Sequence, residues 1–318
     1  MSELPFAHFC DKFSGQTGWV IGRGPTRFDY AALGQTDGPV FFINDAVSQE
    51  KWLAADRPAF FFAHDAAMAC WLSDPGVRSI PVLIVDQPLT GPVEDPRLGL
   101  IGGPDDPRLA NLPRSILYRK DGPLDRATLL NFDRQEIARS GQLHVGGATI
   151  HPLLHFAWYV GCAKLVLIGC DGLPETGYDA RLENRSKSTQ QNALAIRVQQ
   201  EEILRRLSLP CEYLGAIPHR IKMLMELRVS RENHKKILTG VQLLAARFLA
   251  SGCRDLAVSD WVERAGSCWI EGLWPEVESC VGCLASPSYR QILQQELSPL
   301  LGDLRTNPRI AYQAQLES

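Results

Sequence analysis

Short, nearly continuous apolar runs recur through the first two thirds of the chain, and polar or helix-like segments separate them. The runs that we predict as strands lie at residues 19–21, 38–44, 59–65, 79–86, 115–119, 164–169 and 211–215. Strands without polar alternation are typical of a sheet that is covered on both faces. The alternation of such strands with helical segments predicts an α/β fold with a mostly parallel sheet and helices on both faces.

The apolar period changes to 3.6 residues in the last third of the chain. Ile237, Val241, Leu244 and Phe248 fall on one face of a helix, and the remainder up to Leu301 also reads as helical. We therefore predict that the α/β domain covers residues 1–227. Residues 228–318 are predicted to form a C-terminal helical appendage.

Small or polar residues follow four of the predicted strands, at the point where each strand ends. They are Gly22–Pro25, Asn44–Asp45, His64–Asp65 and Gly169–Asp171. The carboxyl ends of parallel strands meet at one edge of a sheet, and open α/β sheets bind ligands beyond that edge. This edge, called the carboxyl rim below, is the predicted site.

The glycine turn of Gly22, Arg23, Gly24, Pro25 and Thr26 would let the backbone approach a phosphate, although a simple tight turn has the same residues. It is neither a Walker loop nor the usual dinucleotide fingerprint. Asn44 and Asp45 are candidates to bind a base, a ribose or a phosphate. The alternative is that they cap the next helix.

Gly147, Ala148 and Thr149 open a predicted helix whose free N–H groups suit an anion. Asp171 follows a core strand beside Gly169. Its carboxylate could hold a ribose hydroxyl, a metal ion or an acceptor hydroxyl, or it could cap a loop. His64 is the candidate for acid or base work, so Asp171 and His64 are the predicted catalytic residues.

Composition narrows the function classes. The 318 residues carry a net charge of 33 − 36 = −3, without the basic excess of nucleic-acid-binding proteins, and 45% are apolar. The sequence has no run of 18 apolar residues, so no membrane span is predicted. The first residues of the chain lack the basic region of a signal peptide, and a cytoplasmic protein is therefore expected.

The nine cysteines are then expected to be reduced. Cys280 and Cys283 have the spacing of metal ligands but lack a second close pair, with Cys253 and Cys268 further away. His151 and His155 lack the glutamate of the zinc-protease pattern. We predict no metal site.

Three stretches in order, "VIGRGPTRFDYAAL", "FFINDA" and "GGATIHPLLHFAWYVGCAKLVLIGCDG", are similar to a pattern shared by two groups. One is the bacterial sialyltransferases with a single Rossmann-like domain, which use CMP-sialic acid. The other comprises proteins related to the archaeal-type hydroxymethylpterin pyrophosphokinase, including motility-associated glycosyltransferase candidates. The resemblance covers residues 17–215.

The resemblance implies that residues 1–227 form a Rossmann-like nucleotide-binding domain. It also implies a nucleotide-sugar-dependent glycosyltransferase with a CMP-linked or other donor and a glycan or protein acceptor. It implies that Gly22, Gly24, Pro25 and Thr26 lie under the nucleotide and that Asn44 contacts the donor. By the same resemblance, residues 147–149 lie near the phosphate and sugar, and Gly169 and Asp171 lie near the ribose.

Two departures from these patterns keep alternatives open. No histidine occurs in residues 174–200, where the sialyltransferases keep their general base, and only Asp65 stands after the third strand, where the pterin enzymes bind magnesium. The alternatives are an ATP- and Mg²⁺-dependent pyrophosphokinase-like enzyme and a degenerate, non-catalytic nucleotide-binding member. The C-terminal helices could form a contact in a homo-oligomer.

Overall fold

The computed structural model describes residues 6–63, 82–85, 93–95, 99–101, 107, 115–120, 130–143, 148–170, 193–215, 220–230, 232–259, 267–301 and 310–317. The chain divides into two compact units. Of the described residues, those up to 170 and those at 203–215 form the first unit. Residues 193–202 and 220–317 form the second unit.

The first unit is built on an eight-stranded sheet in which each neighbouring pair is parallel, in the order β10-β9-β1-β2-β3-β4-β7-β8. Its strands are β1 (Thr17–Ile21), β2 (Val40–Ile43), β3 (Ala59–Ala63), β4 (Val82–Val85), β7 (Ser115–Lys120), β8 (Gln142–Leu143), β9 (Lys164–Ile168) and β10 (Cys211–Tyr213). The short strands β5 (Val93–Asp95) and β6 (Gly99–Ile101) pair separately and antiparallel.

Apolar side chains cover both faces of this sheet, as the unbroken runs predicted. On one face, Phe156 packs edge-on against Phe60, with ring centroids 5.4 Å apart, and Phe60 stacks on Phe41. On the other face, Tyr30 and Leu33 share a buried cluster with strand residues. An α/β fold with a parallel sheet is therefore confirmed, and each predicted strand has a counterpart.

Helical segments connect the strands of the first unit. They are the 3₁₀ segments Phe6–Phe9, Tyr30–Gln35 and Asn44–Trp52, and the α-helices α1 (Arg134–Ser140), α2 (Ile150–Tyr159) and α3 (Ala193–Arg206), the last of which begins in the second unit. Nine residues of 3₁₀ helix after β2 are unusual, because 3₁₀ runs longer than three or four residues are uncommon.

The order of the strands reverses once, at β1. On one side of β1 lie β2, β3, β4, β7 and β8. On the other side lie β9 and β10, which come later in the chain. The carboxyl ends of β1 and β9 are therefore a topological switch point, where open α/β sheets bind their ligands.

The second unit holds its own four-stranded antiparallel sheet, in the order β12-β13-β11-β14. Its elements are β11 (Arg220–Arg228), α4 (His234–Ala250), β12 (Arg254–Val258), β13 (Ser267–Trp274), α5 (Val277–Leu284), α6 (Pro287–Ile292), a π-helical turn (Leu293–Leu297), α7 (Ser298–Leu301) and β14 (Ile310–Glu317). This is a β-α-β-β-α-β arrangement.

The prediction of an all-helical C-terminal region is therefore wrong. Helix α4 is present and buries Ile237, Val241, Leu244 and Phe248 as predicted, but three strands follow it. The predicted boundary after residue 227 also differs from the structure, because β11 pairs with β13 and β14 and so belongs to the second unit.

Cys253, Cys268, Cys280 and Cys283 are free thiols in the hydrophobic core of the second unit. Burial raises the pKa of Cys253 to about 11, and burial raises the pKa of Cys280 well above its usual value. Among the described residues, no group of three metal-ligating side chains lies together. These cysteines serve as small apolar core residues.

Alkylation of the native protein at pH 8 is expected to modify the partly exposed Cys211 well before Cys253, Cys280 and Cys283. At that pH only about 0.1% of a thiol with a pKa of about 11 is the reactive thiolate. Peptide mass spectrometry over a time course measures the order, and the urea-unfolded protein is the control in which all thiols react alike. Rapid native labelling of Cys280 would contradict this assignment.

Across the part of the chain that the structure describes, no helix is both long enough and apolar enough to span a bilayer.

Candidate functional site

The glycine turn after β1 lies against the end of β9. The Gly22 amide donates to the Ile168 carbonyl at 2.7 Å, and the Gly24 amide donates to the Gly169 carbonyl at 2.7 Å. A Cβ atom on Gly24 would lie 2.9 Å from the Gly169 oxygen, and one on Gly22 would overlap that oxygen more severely. Gly169 itself has φ +63°. The chain's own packing at the switch point therefore requires these glycines, with or without a ligand.

Thr26 fastens the far end of the same turn to the end of β10. Its hydroxyl donates to the Gly215 carbonyl at 2.9 Å and accepts from the Phe28 amide at 3.2 Å, and the Arg27 amide also donates to Gly215. The Thr26 hydroxyl is thus engaged within the protein. Thr26 shapes the turn by these bonds, while a direct nucleotide contact stays a prediction.

A buried ion pair links the ends of β1 and β2. The Arg23 guanidinium contacts the Asp45 carboxylate through Nε and Oδ1, and the two side chains are 10% and 0% exposed. The structure thus brings together two of the predicted site residues. The pair fixes a positive group beside the glycine turn at the carboxyl rim.

Asn44 combines two features that cost free energy. Its backbone has φ +52°, the left-handed region that non-glycine residues seldom adopt. Its side-chain Oδ1 is buried and accepts no hydrogen bond from any described residue. The alternative role of a helix cap is not filled by this oxygen, because Asn44 is itself the first residue of the 3₁₀ segment and its Oδ1 makes no cap bond. Such costs concentrate at functional sites.

The helix start predicted to bind an anion is only partly described. Thr149 is buried at the start of α2 and makes no side-chain cap bond there, and the Ala148 carbonyl accepts from the His151 amide at 3.1 Å. Pro25 lies partly exposed in the turn. Gly147 lies outside the described residues, as do the predicted catalytic residues His64 and Asp171. Asp171 directly follows Cys170, the residue at which the description of the β9 end stops.

The two histidines of α2 are fully buried. The His155 ring lies 2.9 Å from the Asn131 carbonyl through Nε2 and against Trp158. These contacts are those of a core residue of the first unit. Within the described ranges, His155 belongs to no cluster of metal-ligating side chains.

The contact between the turn and the end of β10 could not be found by reasoning from the sequence. Gly215 has φ +70°, and its Cβ position lies against the Thr26 hydroxyl and the Phe28 amide. Thr26 and Gly215 are far apart in the chain, and a glycine at a strand end is too common to identify such a partner.

No family model matches the chain. No curated protein matches it either. Solved structures match about a third of the chain. A candidate antibiotic biosynthesis monooxygenase from Chloroflexus aurantiacus is 15% identical over 31% of this chain and 93% of its own, with a TM-score of 0.26.

A conserved protein from Methanosarcina mazei is 17% identical over 31% of this chain and 94% of its own, with a TM-score of 0.27. Rv0793 from Mycobacterium tuberculosis is 12% identical over 31% of this chain and 95% of its own, also with a TM-score of 0.27. These scores are too low to relate the chain to any of these proteins in function, so the function rests on the geometry of the site.

Proposed function

We propose that the first unit is a Rossmann-like domain of a nucleotide-sugar-dependent glycosyltransferase, related to the single-domain sialyltransferases. The nucleotide lies across the carboxyl ends of β1, β2 and β9. Asn44 carries the proposal, because its left-handed backbone and its buried, unsatisfied Oδ1 occur on one residue at the rim. A donor group of the ligand, such as a ribose hydroxyl or an exocyclic amine, would satisfy that oxygen as the segment adjusts.

Two further observations support a ligand with a phosphate. The Arg23 guanidinium is held at the rim by Asp45, and guanidinium groups recognise phosphate oxygens. The switch point at β1 and β9 is the position where parallel sheets bind nucleotides. Asp171 and His64 keep their predicted roles beside the ribose and the acceptor hydroxyl, and a glycan or protein remains the expected acceptor.

A thermal-shift panel of CMP, UDP, GDP and ATP, each with and without Mg²⁺, tests the proposal. We expect one nucleotide to raise the melting temperature, and Asn44→Gly to weaken its binding by about 10- to 100-fold, corresponding to about 1–3 kcal/mol for a lost hydrogen bond. Glycine keeps the left-handed backbone and removes only the amide, so the fold should survive.

Ser208→Gly is the matched control. Ser208 also has a left-handed backbone, with φ +51°, and it lies exposed just after α3. The control should bind the nucleotide like the wild type. Stabilisation by ATP alone, dependent on Mg²⁺, would favour the pyrophosphokinase-like alternative. No shift with any nucleotide would overturn the proposal.

A further inference from the structure

A cleft of about 340 Å³ lies at the amino ends of β1 and β2, at the end of these strands opposite to the carboxyl rim. It is lined by Gln16, Thr17, Trp19, Thr36, Asp37 and Gly38. Neither the glycine turn nor Asn44 contributes to it. A ligand in this cleft would therefore be separate from a nucleotide at the rim.

One wall of the cleft is held rigid by Arg57. Its guanidinium donates to the carbonyls of Thr36 and Gly38 and, at 3.0 Å, to the Thr36 hydroxyl. Gly38 has φ +85° and approaches the Thr17 carbonyl so closely that a Cβ would overlap it. A wall fixed in this way loses little conformational entropy when a ligand binds.

The indole of Trp19 is fixed as well. Its Nε1 donates to the Asp37 carbonyl at 2.9 Å, and its backbone amide donates to the Pro39 carbonyl at 2.9 Å. The Gln16 carbonyl accepts from the Ala163 amide at 2.9 Å. Since these groups bond within the protein, a ligand meets the part of the indole that the core leaves uncovered and the side chains of Gln16, Thr17 and Asp37.

These surfaces define the class of ligand. The Gln16 amide, the Thr17 hydroxyl and the Asp37 carboxylate offer donors and acceptors beside one aromatic ring. The negative face of an aromatic ring attracts the weakly positive C–H groups of a sugar ring. Arg57 bonds to Thr36 and Gly38, the residues on either side of Asp37, so its positive charge lies near that carboxylate. The cleft is therefore close to neutral and suits an uncharged ligand better than a cation or a phosphate.

We propose that this cleft is a carbohydrate subsite that takes one uncharged saccharide ring. The cleft is at the small end of the range of protein ligand pockets, which fits a single ring. The dissociation constant is expected on the order of millimolar, because a ligand of this size makes few contacts. The subsite does not depend on a nucleotide at the rim, so it stands or falls independently of the proposed function.

Saturation-transfer NMR of the full chain tests the subsite with glucose, galactose and N-acetylglucosamine at about 50 mM, well above a millimolar dissociation constant. We expect transfer to the ring protons of at least one sugar. The variant with both Asp37→Ala and Gln16→Ala should lose it by about tenfold or more, because exposed side chains can be removed without unfolding the protein. Trp19→Phe should reduce the transfer while keeping an aromatic ring.

The control variant combines Glu278→Ala with Gln135→Ala, an exposed carboxylate and an exposed amide that do not line the cleft. It should bind sugar like the wild type. Three outcomes would overturn the subsite: no transfer to any sugar, transfer unchanged in the Asp37 and Gln16 variant, or displacement of the sugar by tetramethylammonium, which would mark the cleft as a cation site.

Discussion

Gly22→Val is expected to lower the free energy of unfolding by about 3 kcal/mol or more, as overpacking against rigid backbone does. A side chain at Gly22 must overlap the carbonyl of Gly169, and neither group can rotate away. In the native chain the Gly22 amide reaches Ile168 only because β1 and β9 end in direct contact. The corresponding loss of melting temperature is about 6–12 °C.

Urea unfolding followed by circular dichroism measures this effect, and two other glycines calibrate it. Gly24→Ala should cost less, about 1–2 kcal/mol, because its Cβ would lie 2.9 Å from the same oxygen. Gly282→Ala places a methyl group in open space on helix α5 and should be neutral or stabilising by up to about 1 kcal/mol. If the Gly22→Val variant were as stable as the wild type, the turn would not be packed against the end of β9.

Asp45→Ala is expected to destabilise the protein by about 3–5 kcal/mol, because it leaves the Arg23 guanidinium in a buried place without its carboxylate. The double variant Arg23→Met with Asp45→Leu should recover much of this loss, since replacing both members of a buried ion pair by apolar residues is often nearly neutral. Urea midpoints of the two single variants and the double variant measure the coupling between them.

Glu212→Ala provides the comparison. Glu212 pairs with Lys164 at 2.6 Å, but both side chains are about half exposed, at 52% and 45%. Removing it should cost at most about 1 kcal/mol, the usual value of a surface pair. Equal effects at Asp45 and Glu212 would mean that the Arg23–Asp45 pair is not desolvated as the structure describes it.

The sheet of the first unit could be predicted because each of its strands is a short apolar run that is visible in the local sequence. Runs such as Phe60, Phe61 and Phe62 are buried on both faces, and a short apolar run of this kind, bounded by turn residues, is typical of a strand in a parallel sheet. The sheet of the second unit was not predicted, because the helical pattern of α4 was assumed to continue through the residues that follow it. The alternation in β13, where Cys268, Ile270 and Trp274 are buried, was available in the sequence but was not used.

The sequence predicted which residues follow the strand ends, but not how those residues contact one another. Arg23, Asn44 and Asp45 were assigned to one rim from the rule that ligands bind beyond strand ends, without any knowledge of their contacts. The sequence could not tell that Arg23 and Asp45 would bind each other, or that Gly22 and Gly24 are required by Gly169. Such pairings depend on side-chain and backbone positions that are set only when distant strands meet.

The position of β1 between β2 and β9 also governs how the chain reaches its native state. Thr17 pairs with Lys164, which is 164 − 17 = 147 residues later. At synthesis rates of about 5–20 residues per second, roughly 7–30 s pass before β9 can cover that edge of β1. Meanwhile the nascent sheet exposes an unpaired apolar edge at its future centre, which is a template for aggregation. Truncations that end before β9 are therefore expected to accumulate in inclusion bodies or on chaperones.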